Sequence, residues 1–362
     1  LYTLNEQVVR NRCELFKNIL NEVYPNSIIS YASKAFCCKA IYNIVSEYNF
    51  ACDVVSGGEI ATILQTNFNT TKVYFHGNNK TLQEINLALN NNIFNFIVDN
   101  LDELETLEEI VNENKKFENK INIIVRINPG VEAHTHEYVK TSKTDSKFGI
   151  NLESGEAEEF ILRVNKNKKL NFVGLHFHIG SQIFEKESFR LATEKTMQFI
   201  TKLKKDHNIQ VSLLNAGGGF GVWYNEDDAN LTDEDYKKFI EVIANEIKKS
   251  VKENNLIEPT LVVEPGRSLV AEAGVTLYTV GNTKEIKDIR KYVSLDGGMY
   301  ENPRFALYQS KYTALKAQHT TNEKEIVTLV GKCCESGDQI VRDANIEKLK
   351  KGDIVAVLTT GA

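Results

Sequence analysis

Asn171–Gly180, NFVGLHFHIG, is an almost unbroken apolar run that closes on two histidines and a glycine, and a stretch with helical periodicity, Ser188–Asp206, follows it. An apolar run without alternation marks a strand buried on both faces. The amphipathic segment behind it is the crossover that a parallel neighbour needs. The same unit recurs in both directions along the chain. Upstream lie Ser27–Ala35 (SIISYASKA), Ala51–Gly57 (ACDVVSG), Thr71–Gly77 (TKVYFHG), Phe94–Asn100 (FNFIVDN) and Ile121–Gly130 (INIIVRINPG). Downstream lie Val211–Phe220 (VSLLNAGGGF) and Pro259–Arg267 (PTLVVEPGR). Helical patterns such as Thr81–Asn91, Leu101–Lys115 and Asp233–Glu253 separate them. Asp99/Asn100 supplies one N-terminal cap, and Thr232 with Asp235 another. Eight strands with a helix after each of the first seven predict an α/β fold, a (β/α)8 barrel of TIM type, with an open doubly wound sheet as the rival.

Beyond Arg267 the rhythm changes. Val275–Val280, Tyr292–Leu295, Glu325–Gly331 and Ile354–Leu358 are short runs separated by turns, which predicts a C-terminal antiparallel β domain, sandwich-like or barrel-like. The expected division is a barrel over residues 10–270 and a β domain over 271–362, with residues 1–9 contributing to the second. The chain stops at Thr359-Thr360-Gly361-Ala362, so the β domain is expected to be incomplete.

Composition narrows the function. The formal net charge is −6 and no Lys/Arg block stands out, which argues against nucleic acid. No apolar run reaches the roughly 20 residues of a membrane span, and no signal peptide opens the sequence. The six cysteines, Cys13, Cys37, Cys38, Cys52, Cys333 and Cys334, lack zinc spacing and read as thiols of a reducing cytoplasm. No metal constellation is evident.

The unusual residues collect at strand ends. Lys34 ends the first strand, Asp53 lies in the second and His76 ends the third. His176 and His178 end the sixth, Gly217-Gly218-Gly219 ends the seventh, and Glu264 with Arg267 ends the eighth. In a barrel these ends converge on one face, where active sites are built. Each residue also has a plain structural reading. Lys34 could be a solvated charge, the glycines a tight turn, Glu264 a partner of Arg267, and His178 a core histidine. Their functional readings agree with one another. A lysine with a depressed pKa suits a Schiff base. Glycines let backbone N–H groups approach a phosphate, and Arg267 adds charge. A carboxylate can hold a pyridine nitrogen protonated, and an imidazole can stack on a flat ring. Together they point to pyridoxal 5'-phosphate.

The motifs also carry a resemblance. Tyr31-Ala32-Ser33-Lys34-Ala35, Asp53–Glu59 (DVVSGGE), His176–Gln182 (HFHIGSQ), Asn215–Gly221 (NAGGGFG) and Glu264-Pro265-Gly266-Arg267 resemble blocks of the fold-type III, alanine-racemase-like decarboxylases. Arg126–Gly130 and Asp145–Gly149 fit as well. Cys334-Glu335-Ser336-Gly337-Asp338 and Asn302–Tyr308 (NPRFALY) are most similar to the diaminopimelate decarboxylases.

The resemblance implies that Lys34 bonds the cofactor, His178 stacks on its ring and Glu264 pairs with its nitrogen. Ser181, Gly218, Gly219, Gly266 and Arg267 would surround the phosphate, with Arg267 alternatively meeting a substrate carboxylate. Arg304 and Tyr308 would receive a substrate carboxylate. Cys334, as a proton donor, and Glu335 would come from the second subunit of a homodimer. Asp53 and Glu59 would orient this shell.

The family's usual tyrosine after a segment like Gly361-Ala362, and its usual strand before one like Leu1-Tyr2-Thr3-Leu4, are not in the sequence; truncation or disorder at both ends is the expectation. The implied activity is decarboxylation of meso-diaminopimelate to lysine, the last step of lysine biosynthesis. The alternatives are a decarboxylase of the same fold acting on ornithine, arginine or carboxynorspermidine, an alanine-racemase-type activity, and a non-catalytic regulator. Arg304 disfavours a cationic side chain in the substrate.

Overall fold

The computed structural model describes residues 1–131, 146–318 and 323–362. Asp145, quoted above within one motif, lies outside the described residues. After β1 (Tyr2–Leu4) and α1 (Glu6–Val23), strands and helices alternate. The order is β2 (Ser27–Ala32), α2 (Lys39–Glu47), β3 (Ala51–Val54), α3 (Gly57–Ile63), β4 (Val73–Phe75), α4 (Leu82–Asn90), β5 (Asn95–Val98), α5 (Leu101–Glu113) and β6 (Asn122–Asn128). The two-residue β7 (Ile150–Asn151) precedes α6 (Glu156–Lys166), β8 (Asn171–His176), α7 (Lys186–His207), β9 (Leu213–Asn215), α8 (Asp233–Asn254) and β10 (Thr260–Val263).

Strands β5-β4-β3-β2-β10-β9-β8-β6 hydrogen-bond in that order, every pair is parallel, and β5 pairs with β6 to close the ring. This is the eight-stranded barrel that the repeated units predict; the open sheet is ruled out by the β5–β6 pairing. The caps behave as read. Asn100 accepts the Glu103 N–H at 3.0 Å, and Thr232 and Asp235 form a reciprocal capping box.

One inward residue from each strand fills the barrel. Ile28, Ala51, Tyr74, Ile97, Ile124, Val173, Leu213 and Val262 form a single apolar cluster. Side chains alternate along a strand, so positions two residues apart share a face. Seven inward residues of the next layer toward the C-terminal mouth stand two positions on and are polar; in β8, whose register against β6 shifts between Ile123 and Ile124, the polar residue at that level is His176, three positions beyond Val173.

The remaining elements are α9 (Arg267–Val270), β11 (Gly274–Ile286), β12 (Arg290–Leu295), α10 (Arg304–Tyr308), β13 (Ala314–Lys316), β14 (Lys324–Val330), β15 (Gln339–Glu347) and β16 (Ile354–Leu358). The seven-stranded sheet runs β13-β16-β11-β12-β14-β15, with β1 antiparallel to β11. Its pairings are antiparallel except β12 with β14, which is parallel. Two strands, β13 and β15, were not predicted. β15 (QIVRDANIE) carries a charged pair at its centre, which hides the apolar alternation. The chain separates into two compact units, one of residues 10–221 and 231–267, the other of residues 1–9, 222–230 and 268–362. Residues 222–230 thus leave the barrel stretch, because Val222 and Tyr224 pack in the β unit's core with Tyr278, Tyr312 and Val357.

Candidate active site

The polar layer at the barrel mouth consists of Ser30, Asp53, His76, Asp99, Arg126, His176, Asn215 and Glu264, one from each strand or its C-terminal end. All eight are buried. Glu264 is the hub. Asn215 Nδ2 donates to its Oε1 at 2.5 Å, His176 Nε2 lies 3.4 Å from Oε2, and His76 Nε2 lies 3.3 Å from Oε1. His76 is also 3.5 Å from Asp53, whose carboxyl accepts a hydrogen bond from Ser30. Arg126 Nε is 3.9 Å from Asp99.

Burial by itself would raise the Glu264 carboxyl, but the facing His176 and His76 hold it well below the ordinary carboxylate range. Those rings are neutral near pH 7, because burial depresses His176 to about 4 and His76 to about 3. They therefore act on Glu264 as dipoles rather than as cations, and His176 also stands in hydrogen-bond contact with it. Asp53 goes the other way. Burial and the neighbouring Glu264 charge push it well above its ordinary value, against the opposing Ser30 hydrogen bond. Of the two carboxyls, Glu264 keeps the negative charge.

Lys34 lies just past β2 in a short 3-10 turn, Ser33–Ala35, rather than inside the strand. It is accessible from the mouth, yet enough protein surrounds it for desolvation to lower its pKa below the lysine norm, against the attraction of Glu264. Desolvation, with Lys34 and Arg126 nearby, also keeps His178 neutral. The Gly218 N–H donates to His178 Nδ1 at 3.3 Å, which orients the ring. Glu59, raised by burial, accepts the Val55 N–H at 2.6 Å and steadies the loop after β3.

The glycine run is forced by backbone contact. Gly217 has φ +65°, and a Cβ on Gly218 would sit 2.0 Å from the Glu264 carbonyl oxygen. Arg267 donates to Ser181 Oγ from Nε at 3.3 Å and from Nη2 at 3.2 Å, so the plain reading of Arg267 as the partner of Glu264 does not hold. The N–H groups of Gly219 and Gly266 find no acceptor among the described residues. Free backbone donors, a hydroxyl and a guanidinium fit a phosphate; a lysine and a buried carboxylate fit a pyridine aldehyde. The residues present therefore fit pyridoxal phosphate.

His76, His176 and Glu264 also have donor atoms within 4.8 Å of one another, a spacing that could hold a metal ion and that sequence spacing did not reveal. The missed residues are Ser30, Asp99, Arg126 and Asn215, together with the roles of His76 and His176. Their signal was available: each stands two or three positions beyond the inward apolar residue of its strand.

The matching family model is the pyridoxal-dependent decarboxylase, pyridoxal binding domain, over residues 6–271. The diaminopimelate decarboxylase of Staphylococcus aureus is 45% identical over 92% of this chain and 76% of its own length. That of Bacillus subtilis is 40% identical over the whole chain and 81% of its own. This chain belongs to the diaminopimelate decarboxylase family of pyridoxal-dependent enzymes. Among solved structures, the M. jannaschii diaminopimelate decarboxylase covers 100% of the chain and 82% of its own, with TM-score 0.88 and 36% identity. The Helicobacter pylori enzyme complexed with L-lysine covers 100% and 86%, with TM-score 0.88 and 30% identity.

The other family motifs lie in the β unit. Arg304 opens α10, is buried, and stacks its guanidinium 3.8 Å from the Tyr224 ring centroid and 5.8 Å from that of Tyr308. Cys334 and Glu335 are exposed on the loop between β14 and β15. Buried Asp338 ties that loop down, accepting the Cys333 N–H at 2.8 Å and the Met299 N–H at 2.7 Å. Among the described residues no helix is long and apolar enough to cross a membrane.

Proposed function

We propose that this chain decarboxylates meso-2,6-diaminopimelate to L-lysine, as the last step of lysine biosynthesis, in the cytoplasm. The observation that carries the reading is the buried Glu264 carboxyl, met by Asn215, His176 and His76 at the same mouth that holds Lys34. Lys34 is the amine that bonds the cofactor aldehyde, and its lowered pKa makes the reactive neutral form more accessible. When bound, pyridoxal phosphate supplies the electron sink for the pair left behind as CO2 departs. Glu264 keeps a proton on the ring nitrogen, and Asn215, His176 and His76 keep Glu264 in place. His178 would stack against the cofactor ring. Ser181, Gly218, Gly219, Gly266 and Arg267 hold the phosphate, and Asp53 braces the shell.

Arg304 and Tyr308 receive the substrate carboxylate that remains in the product. Cys334 delivers the proton to Cα and Glu335 binds the distal amino acid end. Both are exposed, which supports the proposal that each serves a partner's site in a homodimer. The decisive assay offers the cofactor-loaded protein diaminopimelate, ornithine and arginine in parallel and identifies the products. Lysine from diaminopimelate alone is expected; putrescine or agmatine would overturn the substrate.

Sharing of sites is tested by mixing inactive Lys34→Ala and Cys334→Ala homodimers. Random exchange makes about half of the dimers mixed, each with one intact site, so roughly a quarter of wild-type activity should return. Exchange confirmed by mass spectrometry without recovery would rule the shared site out.

A further inference from the structure

The opposite end of the barrel has a cavity that decarboxylation does not use. Two residues before the apolar plug, five of the eight positions are asparagines, Asn26, Asn49, Asn95, Asn122 and Asn171, and the other three are Lys72, Val211 and Thr260. Asn122 donates to Asn95 Oδ1 at 2.9 Å and Asn171 to Asn122 Oδ1 at 3.3 Å, a ladder that ties neighbouring strand starts together. Beside it opens a cavity of about 480 Å³, within the size range of small-molecule sites. Ile28, Ala51 and Tyr74 of the plug contribute its apolar lining, and Lys17 and Lys72 line it with charge.

That charge is one-sided. No Asp or Glu lines the cavity. Among the described residues Lys72 donates to Asn49, to its carbonyl oxygen at 3.3 Å and to its side-chain oxygen. Among the described residues Lys17 meets the Tyr48 ring, 5.9 Å from its ammonium. Polar residues at a barrel's base ordinarily serve stability, and the asparagine ladder does so. Lys17 and Lys72 are half-buried as residues, the Lys72 ammonium contacts are exposed, and no carboxylate meets either lysine among the described residues, which leaves room for an anionic ligand to pair with both.

We propose that this cavity binds a small organic anion, a carboxylate or phosphate ester whose charge meets Lys17 and Lys72 and whose apolar body rests on Ile28 and Ala51. The test is calorimetric titration of cofactor-loaded protein, in which the phosphate cradle at the barrel mouth is filled, with citrate and separately with inorganic phosphate. A site with a Kd of about 1 mM is nearly full at about 10 mM anion. Saturable binding of at least one probe is expected, and which probe binds separates the carboxylate from the phosphate class. Lys17→Gln and Lys72→Gln should each weaken binding about tenfold, and Lys72→Arg should largely keep it. Circular dichroism melts establish that each variant folds, and if Lys72→Gln does not, Lys17→Gln carries the test. No saturation by either probe, or binding undiminished in the glutamine variants, overturns the proposal.

Discussion

Glu264 and Cys334 stand in opposite surroundings. Glu264 is only 6% exposed, with an amide and two imidazoles within 3.4 Å. Cys334 is exposed, and what is buried beneath its loop is Asp338, 3% exposed and bonded to backbone N–H groups. At the barrel mouth the buried polar contacts surround Glu264, a group proposed to act on the cofactor. At the loop they serve shape, and Cys334, the proposed proton donor, faces out. Substitutions at the mouth should therefore change electronics with the cofactor still bound, whereas those at the loop should change presentation.

The largest effect is expected at Lys34. Lys34→Ala should abolish turnover, and borohydride treatment of the unmodified protein should fix the cofactor to Lys34 in peptide mapping. Label on another lysine would break the mouth's side of the comparison.

Glu264→Gln should keep the cofactor bound and lower kcat by about 10², since an amide cannot hold a ring nitrogen protonated. A near-normal kcat would reduce Glu264 to packing. Next in size is Arg304→Ala. Loss of a charged hydrogen bond of about 1.5–3 kcal/mol should raise KM for diaminopimelate about ten- to hundredfold. Unchanged kinetics would remove Arg304 from substrate binding and leave it as a cation stacked on Tyr224.

The smallest effect sharpens the contrast. Asp338→Ala frees two N–H groups at a cost of about 1–3 kcal/mol, read as a lower melting temperature and faster alkylation of Cys334. Absorbance of the bound cofactor should stay as it is. A spectral change would show that the two regions are not independent.

The sequence alone determined the repeating units and hence the barrel, because a buried parallel strand and its crossover helix each write a local hydrophobic pattern. It also placed Lys34, His178, the glycine run and Glu264 at strand ends, and its motifs carried the family. β13 and β15 were hidden because sheet pairing overrode a weak or interrupted alternation. Only the tertiary structure decided the partners. Glu264 faces His176, His76 and Asn215 rather than Arg267, and Asp53 competes with it for charge. No periodicity encodes those choices: strand register sets which inward residues meet, and the burial of all eight together sets which of them remain charged.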